Sequence, residues 1–335
     1  MRFLKSMMLT ACAFAVSIGT ANAQQAPVKI RMSWVAPVSN WSSIVLEKKD
    51  LARHMGKSYT VEAVRYQGTP QMITAIANNE LEVSNLAYSS LALAIENAGL
   101  DDIRVIADEF QDGVTGHYST GFYVRKDSGI NKVEDLKGKI VASNGGGSAV
   151  DVALRAALKK AGLEEKRDYT MLEAPLPAMA AMLLEKKADM VPIVLPFVFN
   201  PKLKEEGKIL AEQRDVLGVT QMIVWTARKS FIDKNRAALV DFMEDMLRIT
   251  RWYQDPKNKD EVAQIASRIT KQPADRFGWL FTKDDTYRDA NMVPNLDALQ
   301  RNIDVTRELG LTKKKIDVKQ HADVSLVQEA AKRLK

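Results

Sequence analysis

The sequence predicts an α/β protein of two units, each a mostly parallel sheet flanked by helices, with a helical C-terminal region packed on the first unit. Three observations predict it. Short β-patterned runs alternate with amphipathic helical stretches. The alternation breaks near residue 119 and starts again. From Lys229 onward the pattern is almost entirely helical. The chain has 335 residues, a length suited to roughly two domains of about 100–200 residues each.

The first unit opens on a strand in which Val28, Ile30, Met32 and Trp34 alternate with polar residues. Ile44, Val45, Leu46, Leu51, Ala52 and Met55 then suggest a helix, with Ser39 or Asn40 as its cap. Tyr59 to Tyr66 is a second strand. Thr69 and Pro70 follow as cap and first position of a helix that runs to about Asn79. A strand at Val83 to Leu86, a helix stopped by Gly99 and a strand at Ile103 to Phe110 complete a βαβαβ rhythm, which implies a parallel sheet covered by helices.

In the second unit, Gly121 to Arg125 and Lys139 to Ala142 are strands, with Val133 to Leu136 between them. Ser148 and Asp151 form a capping-box-like pair before a helix with Val150, Ala153, Leu154, Ala157, Leu158 and Ala161 on one face and Gly162 at its end. Tyr169 to Glu173, a Pro177–Lys186 helix and Asp189 to Val194 finish the unit. Thr220 to Thr226 returns towards the first. Helices are then expected at Arg236–Gln254, Glu261–Thr270 and Asn295–Leu309. No internal repeat or low-complexity linker separates the units. The lobes are therefore expected to be 24–118 plus 226–335, and 119–225, with hinge strands near 118–122 and 219–226.

The N-terminus reads as an export signal. Arg2 and Lys5 precede an apolar stretch from Met7 to Ile18, and Ala21-Asn22-Ala23 supplies small residues for cleavage before Gln24. A membrane span needs about 20 apolar residues, and this stretch is shorter. Leu9-Thr10-Ala11-Cys12 has the outline of a lipoprotein signal, yet most of the apolar run follows the cysteine, so cleavage after Ala23 is expected instead. Cys12 is the single cysteine, so the processed chain has no thiol chemistry. Losing Arg2 and Lys5 lowers the formal charge from +6 to +4 (6 − 2). The remaining charges are scattered, without the basic stripe that nucleic-acid binding requires.

Residues Tyr66 to Val83, YQGTPQMITAIANNELEV, resemble a motif of the sulfonate-, nitrate- and taurine-type binding proteins of ABC importers. Gly129-Ile130 with Glu134-Asp135-Leu136-Lys137-Gly138-Lys139 resembles their next motif, and Gly147-Ser148 with the helix to Ala161-Gly162-Leu163 the one after. Order and spacing agree over residues 28 to 226, with Asn79-Glu80 departing from the usual small-residue and glycine pair. The resemblance implies a type II periplasmic-binding-protein fold, a ligand enclosed between two lobes, and a periplasmic, monomeric protein that hands a small organic anion to a permease in the inner membrane. A periplasmic ligand sensor is the alternative, or an enzyme on the same fold. Related thiamine-pyrimidine synthases depend on a cysteine-rich motif, which the processed chain lacks.

Ligands of open α/β sheets bind beyond the carboxyl ends of strands, beside helix N-termini, where free N–H groups favour anions. That rule selects Trp34, Asn40 and Trp41; Gly68 and Thr69; Ala87 and Tyr88; and Asn144, Gly146, Gly147 and Ser148. The glycines lack the spacing of a P-loop or a GxGxxG turn, and Ser148 serves equally as a helix cap. Trp34 also continues the core face of its strand. His117 and Trp225 stand near the hinge, and Pro196-Phe197 extend the apolar lining. His54 and His321 read as structural or solvated. No metal-ligand spacing occurs, and neither a catalytic residue nor a cofactor is expected.

Overall fold

A computed structural model describes residues 26–334; the predicted export signal and Cys12 lie outside the described residues. Ten strands form two sheets. The first contains β1 (Val28–Trp34), β2 (Tyr59–Arg65), β3 (Ser84–Ala87) and β4 (Ile103–Asp112). The second contains β5 (Gly121–Arg125), β6 (Lys139–Ser143), β7 (Tyr169–Glu173), β8 (Met190–Ile193) and β9 (Gly207–Glu212). The last strand, β10 (Thr220–Arg228), inserts into the first sheet between β3 and β4.

A parallel bridge between Met32 and Val83 joins β1 to β3, so the first sheet runs β2-β1-β3-β10-β4. The second runs β7-β6-β8-β5-β9. The two orders correspond. In each sheet the fourth strand is the one the chain enters on arriving from the other sheet, and it lies antiparallel to both neighbours. The expected parallel sheets are thus each interrupted by one antiparallel strand.

The two passages between sheets run side by side. Thr220 pairs with Asp112, and Gln213 N donates to Thr120 O at 2.8 Å. The buried Asp112 carboxylate accepts from Ser119 Oγ, Thr120 N and Thr120 Oγ1 at 2.6–2.8 Å. A Cβ on Gly113 would meet Arg214 Cβ at 2.9 Å and Gly218 O at 3.0 Å, so only glycine lets the passages approach this closely.

Helices α1 (Pro70–Ala77), α2 (Tyr88–Asn97) and α3 (Ala149–Lys160) begin at the carboxyl ends of strands, where their turns were expected. Pro70 takes the first position of α1, but Thr69 does not cap it: its hydroxyl bonds Ser90 Oγ at 2.7 Å. Ser148 does cap α3, accepting from Asp151 N at 3.3 Å. The box is displaced by one residue, because Asp151 accepts from Gly147 N rather than from Ser148 N.

The helix expected over Ile44 to Met55 is two 3₁₀ segments, Trp41–Ser43 and Val45–Leu51, with a kink at Lys48. Local side-chain bonds compete with helical ones here: Ser43 Oγ donates to Asn40 O and accepts from Val38 N. The Pro177–Lys186 helix shortens to α4 (Met179–Leu184) after a 3₁₀ turn. Two short helices absent from the sequence reading, α5 (Pro201–Glu206) and α6 (Gln213–Leu217), flank β9.

The C-terminal region consists of α7 (Lys229–Gln254), α8 (Lys259–Thr270), α9 (Leu296–Glu308) and α10 (Ser325–Arg333). Leu239, Phe242, Met243 and Met246 of α7 share one core with Tyr59 and Trp225 of the first sheet. Burying side chains of this size stabilises by about 1.5–3 kcal/mol each. Asp245, also on α7 and fully buried, accepts from Arg53 N, His54 N and Tyr59 Oη and pairs with Arg248. The helical region is therefore anchored to the first sheet by packing and by a satisfied carboxylate.

Candidate functional site

A cavity of about 80 Å³ lies between the carboxyl ends of the two sheets. From the first sheet's side come Val35, Ala36, Asn40, Gly68, Thr69 and Ala87, with Phe110 on β4 and Ile223 on β10. Asn144, Ser148, Ala149, Val150 and Leu176 close it from the second. The cleft is tightly shut: a Cβ on Gly68 would lie 3.6 Å from Asn144 O, and one on Gly147 would lie 2.6 Å from Leu93 Cδ1 of α2.

The cavity's chemistry is uncharged. No acidic, basic or histidine side chain among the described residues lines it. Its polar groups are hydroxyls and amides, and several are already engaged. Ser148 Oγ donates to Asn144 Oδ1 at 2.6 Å. Asn40 Oδ1 accepts from Val35 N and Ala36 N at 2.9 and 2.7 Å, while its Nδ2 donates to Glu109 at 3.0 Å. Asn40 thus folds the loop after β1 around its own amide. The turns leading α1, α2 and α3 all reach the cavity. Ala149 and Val150 are the first residues of α3, whose N–H groups have no intrahelical acceptor. Such an arrangement accommodates a molecule with an apolar body and an oxygen-bearing head.

Six residues expected at the site come together here: Asn40, Gly68, Thr69, Ala87, Asn144 and Ser148. The aromatic residues do not. Trp41 is 2 % exposed and packs in the core against Phe281 and Tyr253, with ring centroids 5.4 and 5.6 Å away. It begins a 3₁₀ turn directed into the core, not a helix facing the cleft. Trp225 is fully buried against Phe242 at 5.8 Å. Tyr88 is also fully buried, and its hydroxyl donates across the cleft to Ala149 O at 3.0 Å. Trp34 lies outside the cavity beneath the Arg65 guanidinium. His117 stands edge-on to Tyr287 beside a separate pocket.

Pro196 and Phe197 line an outer groove, because Val194 and Leu195 take the cavity side of that turn. Gly146 and Gly147 present their amides within the protein, to Glu173 Oε1 at 2.7 Å and Asp151 Oδ2 at 2.8 Å. Cavity residues that the sequence reading missed include Phe110, Tyr118, Met222, Ile223 and Thr286. The strand-end rule found the helix-leading turns but could not find walls contributed by strand faces or by the loop before α9.

His54, Asp241 and Glu244 form the one His–carboxylate cluster among the described residues that could hold a metal. Arg333 already pairs with Asp241 at 2.9 Å and Arg248 with Glu244 at 2.5 Å, so the negative charge there is matched by guanidinium groups.

Beneath Asn40 lies Glu109, fully buried, whose Oε1 accepts from Asn40 Nδ2 and Trp41 N while Oε2 has no partner. Burial pushes its carboxyl up to about 7, against the lowering effect of those hydrogen bonds. Asp108 is likewise raised by burial to about 7. Both folded values exceed the unfolded ones, near about 4. The folded state therefore binds these protons more tightly. Stability from each group is complete below about pH 4 and is lost as pH rises through about 7. The melting temperature is expected to fall between about pH 4 and 7 on this account. Glu109→Gln, which cannot ionise, should make that fall shallower; an unchanged slope in thermal melts would exclude Glu109 as a source.

A cavity between two α/β lobes that the chain crosses twice is the architecture of a type II periplasmic binding protein. The chain belongs to the NMT1-like family, which residues 23–267 match. It is 24% identical over 217 residues to the taurine-binding periplasmic protein of Escherichia coli (strain K12). That match covers 62% of this chain and 64% of the relative, so it spans slightly less than two thirds of the relative's length.

The periplasmic aliphatic sulphonate binding protein of Escherichia coli shares the fold at a TM-score of 0.67 and 18% identity, covering 88% of this chain and 92% of that one. The periplasmic nitrate-binding protein of Synechocystis PCC 6803 does so at 0.72 and 15%, covering 92% and 89%. A desulfurization enzyme also shares it, at 0.64 and 13%, covering 92% and 100%. Fold alone therefore does not separate binding from catalysis.

Proposed function

We propose that this chain is the solute-binding component of an ABC-type importer, taking a small organic anion into the cavity and delivering it to a permease of the inner membrane. It acts as a monomer in the periplasm after cleavage behind Ala23. Residues 24–118 with 226–335 form one lobe and 119–225 the other. The observation that carries this reading is the convergence of three helix-leading turns, from both sheets, on one uncharged cavity. Helix N-termini favour an anionic head without any side-chain cation, and the apolar walls suit a carbon body. A solute touching both lobes favours the closed form in proportion to its preference for that form.

A thermal-shift screen of ligand-free protein tests the proposal with sulfonates, aromatic and aliphatic carboxylates and nitrogen heterocycles. A cognate anion at about a hundredfold excess over its Kd stabilises by about 2.7 kcal/mol, a rise of several degrees. No rise with any class, or a rise with neutral heterocycles alone, would sink the anion assignment. The desulfurization enzyme favours a second reading, catalysis on this fold. Recovering the stabilising solute chemically unchanged after prolonged incubation separates the two.

A further inference from the structure

Outside the cavity a groove of about 500 Å³ opens between the lobes. Three parts of the chain build it. Trp34 and Arg65 are register partners at the ends of β1 and β2, Pro177 and Phe197 come from the second lobe, and Arg276 and Trp279 follow α8. The Arg65 guanidinium sits 5.2 Å from the Trp34 ring centroid, an exposed cation laid on an aromatic face. Arg276 is steadied by Gln272 Oε1 at 3.0 Å. Neither guanidinium is matched by a carboxylate among the described residues.

Trp279 is 5 % exposed, its ring lies 5.3 Å from that of Phe199, and its indole N–H has no acceptor. The groove therefore combines flat apolar walls with two cations that no carboxylate matches. It also adjoins the cavity. A small pocket between them shares Pro37, Arg65 and Pro177 with the groove, and Val35, Ala36 and Leu176 with the cavity.

We propose that this groove is a second solute site, which holds a planar organic anion, an aromatic carboxylate or sulfonate. The ring lies between Trp34 and Phe197, and the anionic oxygens face Arg65 and Arg276. This goes beyond the importer reading and does not depend on it: the groove differs from the cavity in charge and in size.

The test is a fluorescence titration of the whole processed chain with 1-anilinonaphthalene-8-sulfonate. Arg65→Gln and Arg276→Gln change exposed side chains and keep the fold, checked by far-UV circular dichroism. Together they are expected to weaken the probe about five- to twentyfold, since each removes one solvent-exposed charge contact. Phe197→Ala, which removes a wall of the groove and none of the cavity, is expected to weaken the probe as well. The proposal is overturned if the double variant, or Phe197→Ala, binds the probe as the parent does. It is also overturned if sedimentation shows a dimer that the probe dissociates, since a second copy of the chain would then be the groove's occupant.

Discussion

Replacing Gly147 with valine is expected to weaken solute binding by about thirtyfold, with little change in the fold of the free protein. A Cβ at this position would lie 2.6 Å from Leu93 Cδ1, on the opposite lobe. Leu93 can turn away from a single methyl group but not from a branched side chain. Overpacking of this kind costs about 1–3 kcal/mol, and on the proposed clamp function only the closed form suffers it; about 2 kcal/mol corresponds to roughly thirtyfold in Kd. Gly147 also has a φ of +78°, and valine there adds strain. That strain is present in open and closed forms alike, so it lowers stability without altering affinity. Leu93→Ala in the same chain should restore binding to within about threefold of the parent, because it removes the opposing side chain. Calorimetry with the best solute from the thermal screen measures both. An unchanged Kd for Gly147→Val would mean that closure does not bring this turn against α2.

Arg288→Ala should lower stability by about 3–5 kcal/mol, the usual consequence of leaving a buried charge without its partner. Arg288 Nη1 donates to Asp285 Oδ2 at 2.7 Å, and the two side chains are 3 % and 0 % exposed. Its Nη2 donates to Ser39 O at 3.0 Å, and its guanidinium lies 5.1 Å from the Phe281 ring and 5.6 Å from Trp41. The pair braces the cavity from behind, since Ser39 and Thr286 both reach it. Asp285 is moreover tied to the hinge by Tyr118 N, which donates to its carbonyl at 3.0 Å. Adding Asp285→Asn to Arg288→Ala should recover only part of the loss: the remaining group is then neutral, but its amide nitrogen must face Phe281 N or Thr286 N, which now donate to the two carboxylate oxygens. Chemical denaturation of the parent and the two variants decides it: equal losses in the single and double variants would show that packing around the guanidinium, rather than the carboxylate left without its cation, sets the effect.

The architecture was largely legible in the sequence because its cues are local. Alternating apolar residues marked β1, the Thr69-Pro70 start marked α1, and Ser148 marked the cap of α3. Local cues also misled. The apolar spacing from Ile44 to Met55 fits a helix, yet Asn40 and Ser43 spend their side chains on nearby backbone and tighten the segment into 3₁₀ turns. The site divided along the same line. Positions fixed by a strand end and a helix start could be named in advance. The direction of an aromatic ring could not, because it depends on partners far along the chain: Phe281 and Tyr253 for Trp41, Phe242 for Trp225. The outer groove escaped notice for a similar reason, since its two arginines lie more than two hundred residues apart in sequence.

The strand exchange between the sheets bears on how the chain acquires its structure. All five strands of the second sheet, β5 to β9, are contiguous in sequence, so that lobe can assemble as soon as residue 212 is available. The first sheet cannot. Its β3 and β4 have no direct pairing with each other and await β10, which begins at Thr220. The half of the molecule synthesised first is thus the half completed last, and until then two strand edges stay open to mispairing.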